Sequence, residues 1–245
     1  GLFALENFAT LLNLLKKIHQ TSLPISAFEF FEKKAYQEVC KKNPRTPQFF
    51  ANESEFYVLC EVESQGQSCH EEFEKVMEEA FAESLLEDGL ISSSSKEFQE
   101  MWSVRENITE SLQHWPHIYK NDISVPIASL VDFYKKIDHI KKAQPPYFFI
   151  VLFGHLGDGN IHINYLGTKE IQRDSFLERV KTVQDEIFEV IGSLKGSISA
   201  EHGIGLLKKE DLLLHRKKEE MLWMRKVKSM FDPHNTLNPG KIFDL

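Results

Sequence analysis

The chain's 245 residues can form one large domain or two small ones, and a hydrophobic fraction of 42% with nineteen phenylalanines fits a globular fold. Its formal net charge of −8 at pH 7 argues against nucleic acid as the main partner, because a phosphate-binding face needs Lys and Arg in clustered excess. Cysteines Cys40, Cys60 and Cys69 are odd in number, scattered and without a CxxC spacing, which argues against a disulfide framework and fits the cytoplasm or a mitochondrial matrix.

No run approaches the roughly 18 apolar residues of a membrane span. The first residue is glycine and an amphipathic pattern starts at once, so the chain is expected to begin inside a longer protein. Leu5 to His19 spaces its leucines and phenylalanines as a helix does. Pro24 to Phe31 reads as a strand, followed by a polar segment to Glu53, a strand from Glu55 to Glu63 and a charged helix from His70 to Leu86. A short strand from Gly89 to Ser93, a helix from Lys96 to Gln113 and an extended run from Ile118 to Val125 come next. The order then repeats: helix Ile127 to Lys142, strands Tyr147 to Phe153 and Ile161 to Tyr165, helix Arg173 to Leu194, strand Ser197 to Ala200.

Both halves read helix, strand, strand, helix, strand. This predicts an α+β fold of two duplicated αββαβ, ferredoxin-like units in one broad antiparallel sheet with helices on one face. The units span about residues 1–95 and 126–205. A helical part, 206–245, ends in a tight turn at Leu237-Asn238-Pro239-Gly240-Lys241.

The densest chemistry lies in Gly154-His155-Leu156-Gly157-Asp158-Gly159-Asn160-Ile161-His162. Asp-Gly between two apolar runs is a strong signal for a two-residue hairpin turn, which sets His155 opposite His162. Directly opposed side chains have Cβ atoms roughly 4.5–5.5 Å apart, close enough for two imidazoles to share a metal ion. Asn164, two residues beyond His162, projects on the same face. The plain alternative is a pair of ordinary hairpin histidines.

About forty residues on, Ser197-Ile198-Ser199-Ala200-Glu201-His202-Gly203-Ile204-Gly205 ends a β-like run in an acid, a histidine and two glycines. Glu201 could be the third, anionic ligand, and two imidazoles with one carboxylate leave a coordination position open, as catalytic sites do. The set suits zinc first and also accepts manganese, iron or cobalt. On an extended segment His202 points away from Glu201, so spacing alone leaves its role as a base a hypothesis.

The combination of GHLGDGNIH, SAEHGIG followed by Lys208, and FDPHNTLNPGK resembles the C-terminal, substrate-binding portion of FAD-linked oxidases of the vanillyl-alcohol-oxidase superfamily. Within it the chain is similar to the D-2-hydroxyglutarate and D-lactate dehydrogenases. The resemblance covers most of the chain from about Trp102 to Phe243. It implies a preceding FAD-binding domain that this chain does not contain, with the duplicated α+β domain capping the flavin.

It further implies that His155, His162 and Glu201 bind a divalent metal and that His202 is the general base. Arg105, Thr109, Lys120 and Asn164 would contact the substrate, and Asn238 and Lys241 belong to a closing motif near the flavin. Arg105 and Thr109 are four apart, so one helix face could present both to a single carboxylate. Lys208 could approach a carboxylate or the flavin, or stay exposed.

The expected activity is oxidation of a small D-2-hydroxy acid (2-hydroxyglutarate, malate or lactate) to the 2-oxo acid, with hydride transfer to FAD. A homodimer is compatible with this reading. Two rivals remain: a non-catalytic metal- or metabolite-binding module, or subunit, docking on a separate FAD polypeptide, and a metal hydrolase.

Overall fold

In the computed structural model, which describes residues 1–43, 46–63 and 66–245, seven strands form one antiparallel sheet. The first half contributes β1 (Leu2–Leu5), β2 (Ile25–Glu32), β3 (Phe56–Val62) and β4 (Asp88–Leu90). The second contributes β5 (His117–Ser124), β6 (Phe148–His155) and β7 (Asn160–Gly167). Their spatial order is β4-β1-β3-β2-β6-β7-β5. An isolated bridge from Ser124 to Ser197 puts a fourth extended segment outside β5, so the two halves repeat one strand order and meet where β2 pairs with β6.

One face of the sheet is covered by α1 (Phe8–His19), α3 (Gln67–Ala82), α6 (Leu130–Lys142) and α7 (Arg173–Ser193). Helix α1 shows why. Asn7 caps it by accepting from the amides of Ala9 and Thr10, and Phe8, Leu11, Leu14, Leu15 and Ile18 form one buried stripe. The stripe packs on the inward side chains of the strands, among them Phe30, Val58, Leu152 and Ile163.

The opposite face also carries helices: α2 (Lys33–Lys42), α4 (Ser95–Glu106) and α5 (Ile108–Leu112) pack over Phe31, Tyr57, Val151 and Phe153. Their cover reaches Val151, Phe153 and Leu166 of the second half, and the candidate site opens beside α4 and α5 on this face. Helices α8 (Lys209–His215) and α9 (Lys218–Phe231) close the chain. Among the described residues no helix is long and apolar enough to cross a membrane.

Several boundaries differ from those read in the sequence. Leu2–Leu5 is a fully buried strand, and the first helix starts only after the Asn7 cap, because a short apolar run does not distinguish strand from helix. The polar segment to Glu53, of which residues 44 and 45 lie outside the described residues, holds α2, whose lysines hide the buried Ala35, Tyr36 and Val39. The helix expected over Lys96 to Gln113 is divided at Asn107, and the strand over Ser197 to Ala200 shrinks to the bridge at Ser197.

The hairpin also differs. The loop is four residues long: Leu156–Asp158 form a 3-10 turn closed by the Gly159 amide on the Leu156 carbonyl at 3.1 Å. Leu156 is fully buried, and this anchor draws the chain into the turn before a two-residue Asp-Gly loop can form. His162 therefore faces Phe153, and His155 pairs instead with Glu29 on β2.

Candidate functional site

A cavity of about 410 Å³ opens on the second half of the sheet, within the roughly 300–1,000 Å³ range of small-molecule pockets. Strand pairing sets out its floor. Asp122, His162 and Phe153 lie side by side across β5, β7 and β6, and the next pairs along are Lys120 with Asn164 and Glu29 with His155. Trp102, Arg105 and Thr109 from α4 and α5 form one wall. Glu201 and His202 form the other.

His155 and His162 are diagonal neighbours, their rings edge to face with centroids 5.5 Å apart. His155, His162 and Glu201 bring one donor atom each within 4.8 Å of one another, with His155 Nε2 3.7 Å from Glu201 Oε1. Bond lengths of about 2.0–2.2 Å around a tetrahedral ion imply donor separations of about 3.3 Å, so the three side chains need only draw together to fit one. The donor set fits a divalent metal, and so does the His162 titration: burial first, then the Arg105 charge, push its pKa down to about 4. At neutral pH its ring is uncharged, with a lone pair free for an ion.

His155 behaves oppositely. Its Nδ1 lies 2.6 Å from Glu29 Oε1, and that hydrogen bond raises its pKa against the opposing effect of burial. Glu29 Oε2 also accepts from Arg105 Nε at 2.8 Å, and the Arg105 guanidinium carbon sits 4.8 Å from the centre of the Phe153 ring. Arg105 is thus a buried cation whose Nε is spoken for, while its terminal nitrogens keep donors for an anion.

The Glu201 segment is held from below by Asp122, which is fully buried. Its Oδ2 accepts the backbone amides of Ala200 at 3.1 Å, Glu201 at 2.6 Å and His202 at 3.0 Å. Burial alone would raise the Asp122 pKa, but the Glu201 and His202 amides outweigh it and the carboxyl stays below its ordinary value. Its Oδ1 lies 3.5 Å from His162 Nδ1. Because the segment bends here, strand parity fails and both Glu201 and His202 line the cavity, with the His202 ring stacked near that of His162 at 6.1 Å.

Asn164 is 1% exposed, and neither its side-chain oxygen nor its nitrogen has a partner. An unpartnered buried amide on a cavity wall has both its donor and its acceptor free for polar atoms in the cavity. Lys120 remains exposed, yet the surrounding protein removes enough water to lower its pKa. Arg105 and Thr109, separated by the break at Asn107, still border the same cavity.

Asn238 and Lys241 are exposed on the terminal turn and are not among the cavity's lining residues. That turn is tied to the loop after His202 by the Ile242 amide on the Gly205 carbonyl at 2.8 Å. Lys208 braces the site segment from behind, since its Nζ donates to the Ile198 carbonyl at 2.9 Å, Ser199 Oγ at 3.2 Å and the Asp122 carbonyl at 3.4 Å.

Reading the sequence missed Glu29 and Asp122 as site residues. Each had a signal, an acid inside an otherwise apolar or β-like run, where an ionised side chain must find a partner.

Comparison with known proteins relates the chain to a family. D-2-hydroxyglutarate dehydrogenase of Stutzerimonas stutzeri is 39% identical over 224 residues, covering 91% of this chain and 48% of that protein. The mitochondrial D-2-hydroxyglutarate dehydrogenase of Rattus norvegicus is 34% identical over 220 residues, 89% of this chain and 39% of that protein. The chain spans about half the length of the curated relatives it matches, or less.

Among solved structures, 4-ethylphenol oxidase from Gulosibacter chungangensis superimposes with a TM-score of 0.64 at 12% identity, over 99% of this chain and 53% of that one. That likeness concerns the fold. The model of the family "FAD linked oxidases, C-terminal domain" matches residues 1–242, and the chain belongs to that family.

Proposed function

We propose that this chain is the substrate- and metal-binding part of a flavin-dependent D-2-hydroxy acid dehydrogenase that oxidises a 2-hydroxy acid to the 2-oxo acid. The observation that carries the reading is convergence: three imidazoles, the Glu201 carboxylate, an arginine, a lysine and an unpartnered buried amide border one cavity, although they come from α4, β5, β6, β7 and the segment at Glu201. Family membership and the names of the relatives support the reaction class.

His155, His162 and Glu201 would hold a divalent metal, zinc by preference. When bound, FAD would supply the hydride acceptor and a metal would supply Lewis acidity toward the substrate. Asn164 would hydrogen-bond the same end of the substrate. His202 would take the hydroxyl proton, since it faces the cavity beside His162. Arg105, Thr109 and Lys120 would bind a second carboxylate, which favours 2-hydroxyglutarate or malate over lactate.

Asn238 and Lys241, both exposed, would meet the flavin-bearing part of the protein. The test is steady-state oxidation of D-2-hydroxyglutarate, D-malate and D-lactate by the full-length protein with an artificial electron acceptor, beside elemental analysis. Turnover of a D-2-hydroxy acid with about one metal per chain, lost in His155→Ala, supports the reading. Turnover of none of the three, or hydrolysis without flavin, overturns it.

A further inference from the structure

Glu29 lies in an apolar strand, between Phe28 and Phe30, and is 4% exposed. It stands at the seam between the two halves, paired in register with His155 across β2 and β6. Both carboxylate oxygens are engaged, Oε1 with His155 Nδ1 at 2.6 Å and Oε2 with Arg105 Nε at 2.8 Å. One side chain thus ties together three distant segments: its own strand, the site strand β6 and helix α4. Stability alone does not call for this arrangement, because well-packed apolar residues commonly replace a buried ion pair without loss.

The chemistry of the contact is directional. An ionised carboxylate carries no proton, so in the Glu29–His155 bond the imidazole donates from Nδ1. In the neutral ring the lone pair is then left on Nε2, the atom 3.7 Å from Glu201 Oε1. We propose that Glu29 is a positioning residue: it sets the Nδ1-protonated tautomer of His155, presents Nε2 to the metal, and holds Arg105 at a fixed place beside that imidazole. The inference rests on the metal-site reading above. A carboxylate behind a ligating imidazole raises its basicity and fixes its orientation, and removing such a partner typically weakens metal binding about 10–100-fold.

The experiment has two arms on the full-length protein. Zn²⁺ affinity is measured by competition with a chromophoric chelator for the wild type, Glu29→Gln and His155→Ala. Separately, ¹⁵N-histidine NMR of the metal-free wild type at alkaline pH reads the His155 tautomer, assigned by the signals that vanish in His155→Ala.

The expected results are weakening of about 10–100-fold in Glu29→Gln, near-complete loss in His155→Ala, and a wild-type His155 with protonated Nδ1 and bare Nε2. Zn²⁺ binding by Glu29→Gln at wild-type strength, while His155→Ala loses it, overturns the role of Glu29 and leaves the metal site standing. Absence of Zn²⁺ binding in wild type and His155→Ala alike overturns the metal site, and the inference with it. An Nε2-protonated His155 overturns the Glu29 assignment even if Glu29→Gln fails to fold, since that arm needs only the native residue at position 29.

Discussion

Asp122 Oδ2 accepts the backbone amide of Glu201 at 2.6 Å, and the same oxygen accepts the amides on either side. The bend that presents Glu201 and His202 to the cavity is therefore held by a side chain of β5. Asp122→Ala removes three hydrogen bonds to a charged acceptor, each contributing about 1.5–3 kcal/mol in favourable cases. With water replacing part of that loss, the variant should be destabilised by about 2–4 kcal/mol in urea unfolding. Amide exchange at residues 200–202 should accelerate more than elsewhere. Protection there equal to wild type would rule out the anchoring role.

His155 and His162 should push stability in opposite directions with pH. The His162 pKa is depressed from 6.5 to about 4 in the folded state, so the unfolded chain takes up a proton first as pH falls. Its contribution is present above about 6.5 and lost between there and about 4. The His155 pKa is raised, so its contribution is present below its ordinary value and lost as pH rises through the folded one. In metal-free protein, His162→Gln should flatten the acid limb of the stability curve and His155→Gln the limb above it. Parallel curves for both variants would contradict these assignments.

Metal binding should be proton-linked through His155 alone in the neutral range. A ligand nitrogen must be unprotonated, and His162 already is, whereas the hydrogen bond to Glu29 keeps His155 protonated to higher pH than usual. Zn²⁺ affinity should therefore climb with pH beyond 6.5, with close to one proton released per ion below the raised pKa. Calorimetry in buffers of different ionisation enthalpy counts that proton. A pH-independent affinity across neutrality would exclude His155 as a ligand.

Arg105→Ala should discriminate between substrates. If its terminal nitrogens bind a distal carboxylate, losing a charged hydrogen bond of about 1.5–3 kcal/mol lowers kcat/KM for D-2-hydroxyglutarate about 10–100-fold. D-lactate, without that carboxylate, should be affected far less. Equal losses for the two acids would mean that Arg105 acts through Glu29 and the fold alone.

Gly159→Ala tests the site loop. Gly159 has φ +69°, and an added Cβ would lie 2.1 Å from the Val125 carbonyl oxygen. Backbone strain of about 1–3 kcal/mol plus that clash should lower the melting temperature and loosen the turn between the histidines. An unchanged melting temperature would show that the loop relaxes freely.

Much of this architecture was legible in the residues. Long amphipathic runs such as Leu11 to Ile18 and the Phe176 to Ile191 stripe state their elements outright, because helical periodicity survives without knowledge of neighbours. The repeated element order likewise led to the broad antiparallel sheet. Short or charge-masked elements were not legible: Leu2–Leu5 is buried on both sides and has no period to read, and α2 shows its apolar residues only once Tyr36 is seen packed on Tyr57.

For the site, local sequence already singled out His155, His162, Asn164, Glu201 and His202, since a polar cluster inside β-like runs is chemically conspicuous. What it could not decide was their pairing. The buried Leu156 changed the turn and moved His155 from His162 to Glu29, a partner 126 residues away. Asp122 reaches the Glu201 segment across 79 residues in the same manner. Residue types and spacing determine which donors exist, because they follow from covalent chemistry and local periodicity. Which donor faces which, and hence each group's charge state, depends on strand register and burial, and these are properties of the packed sheet.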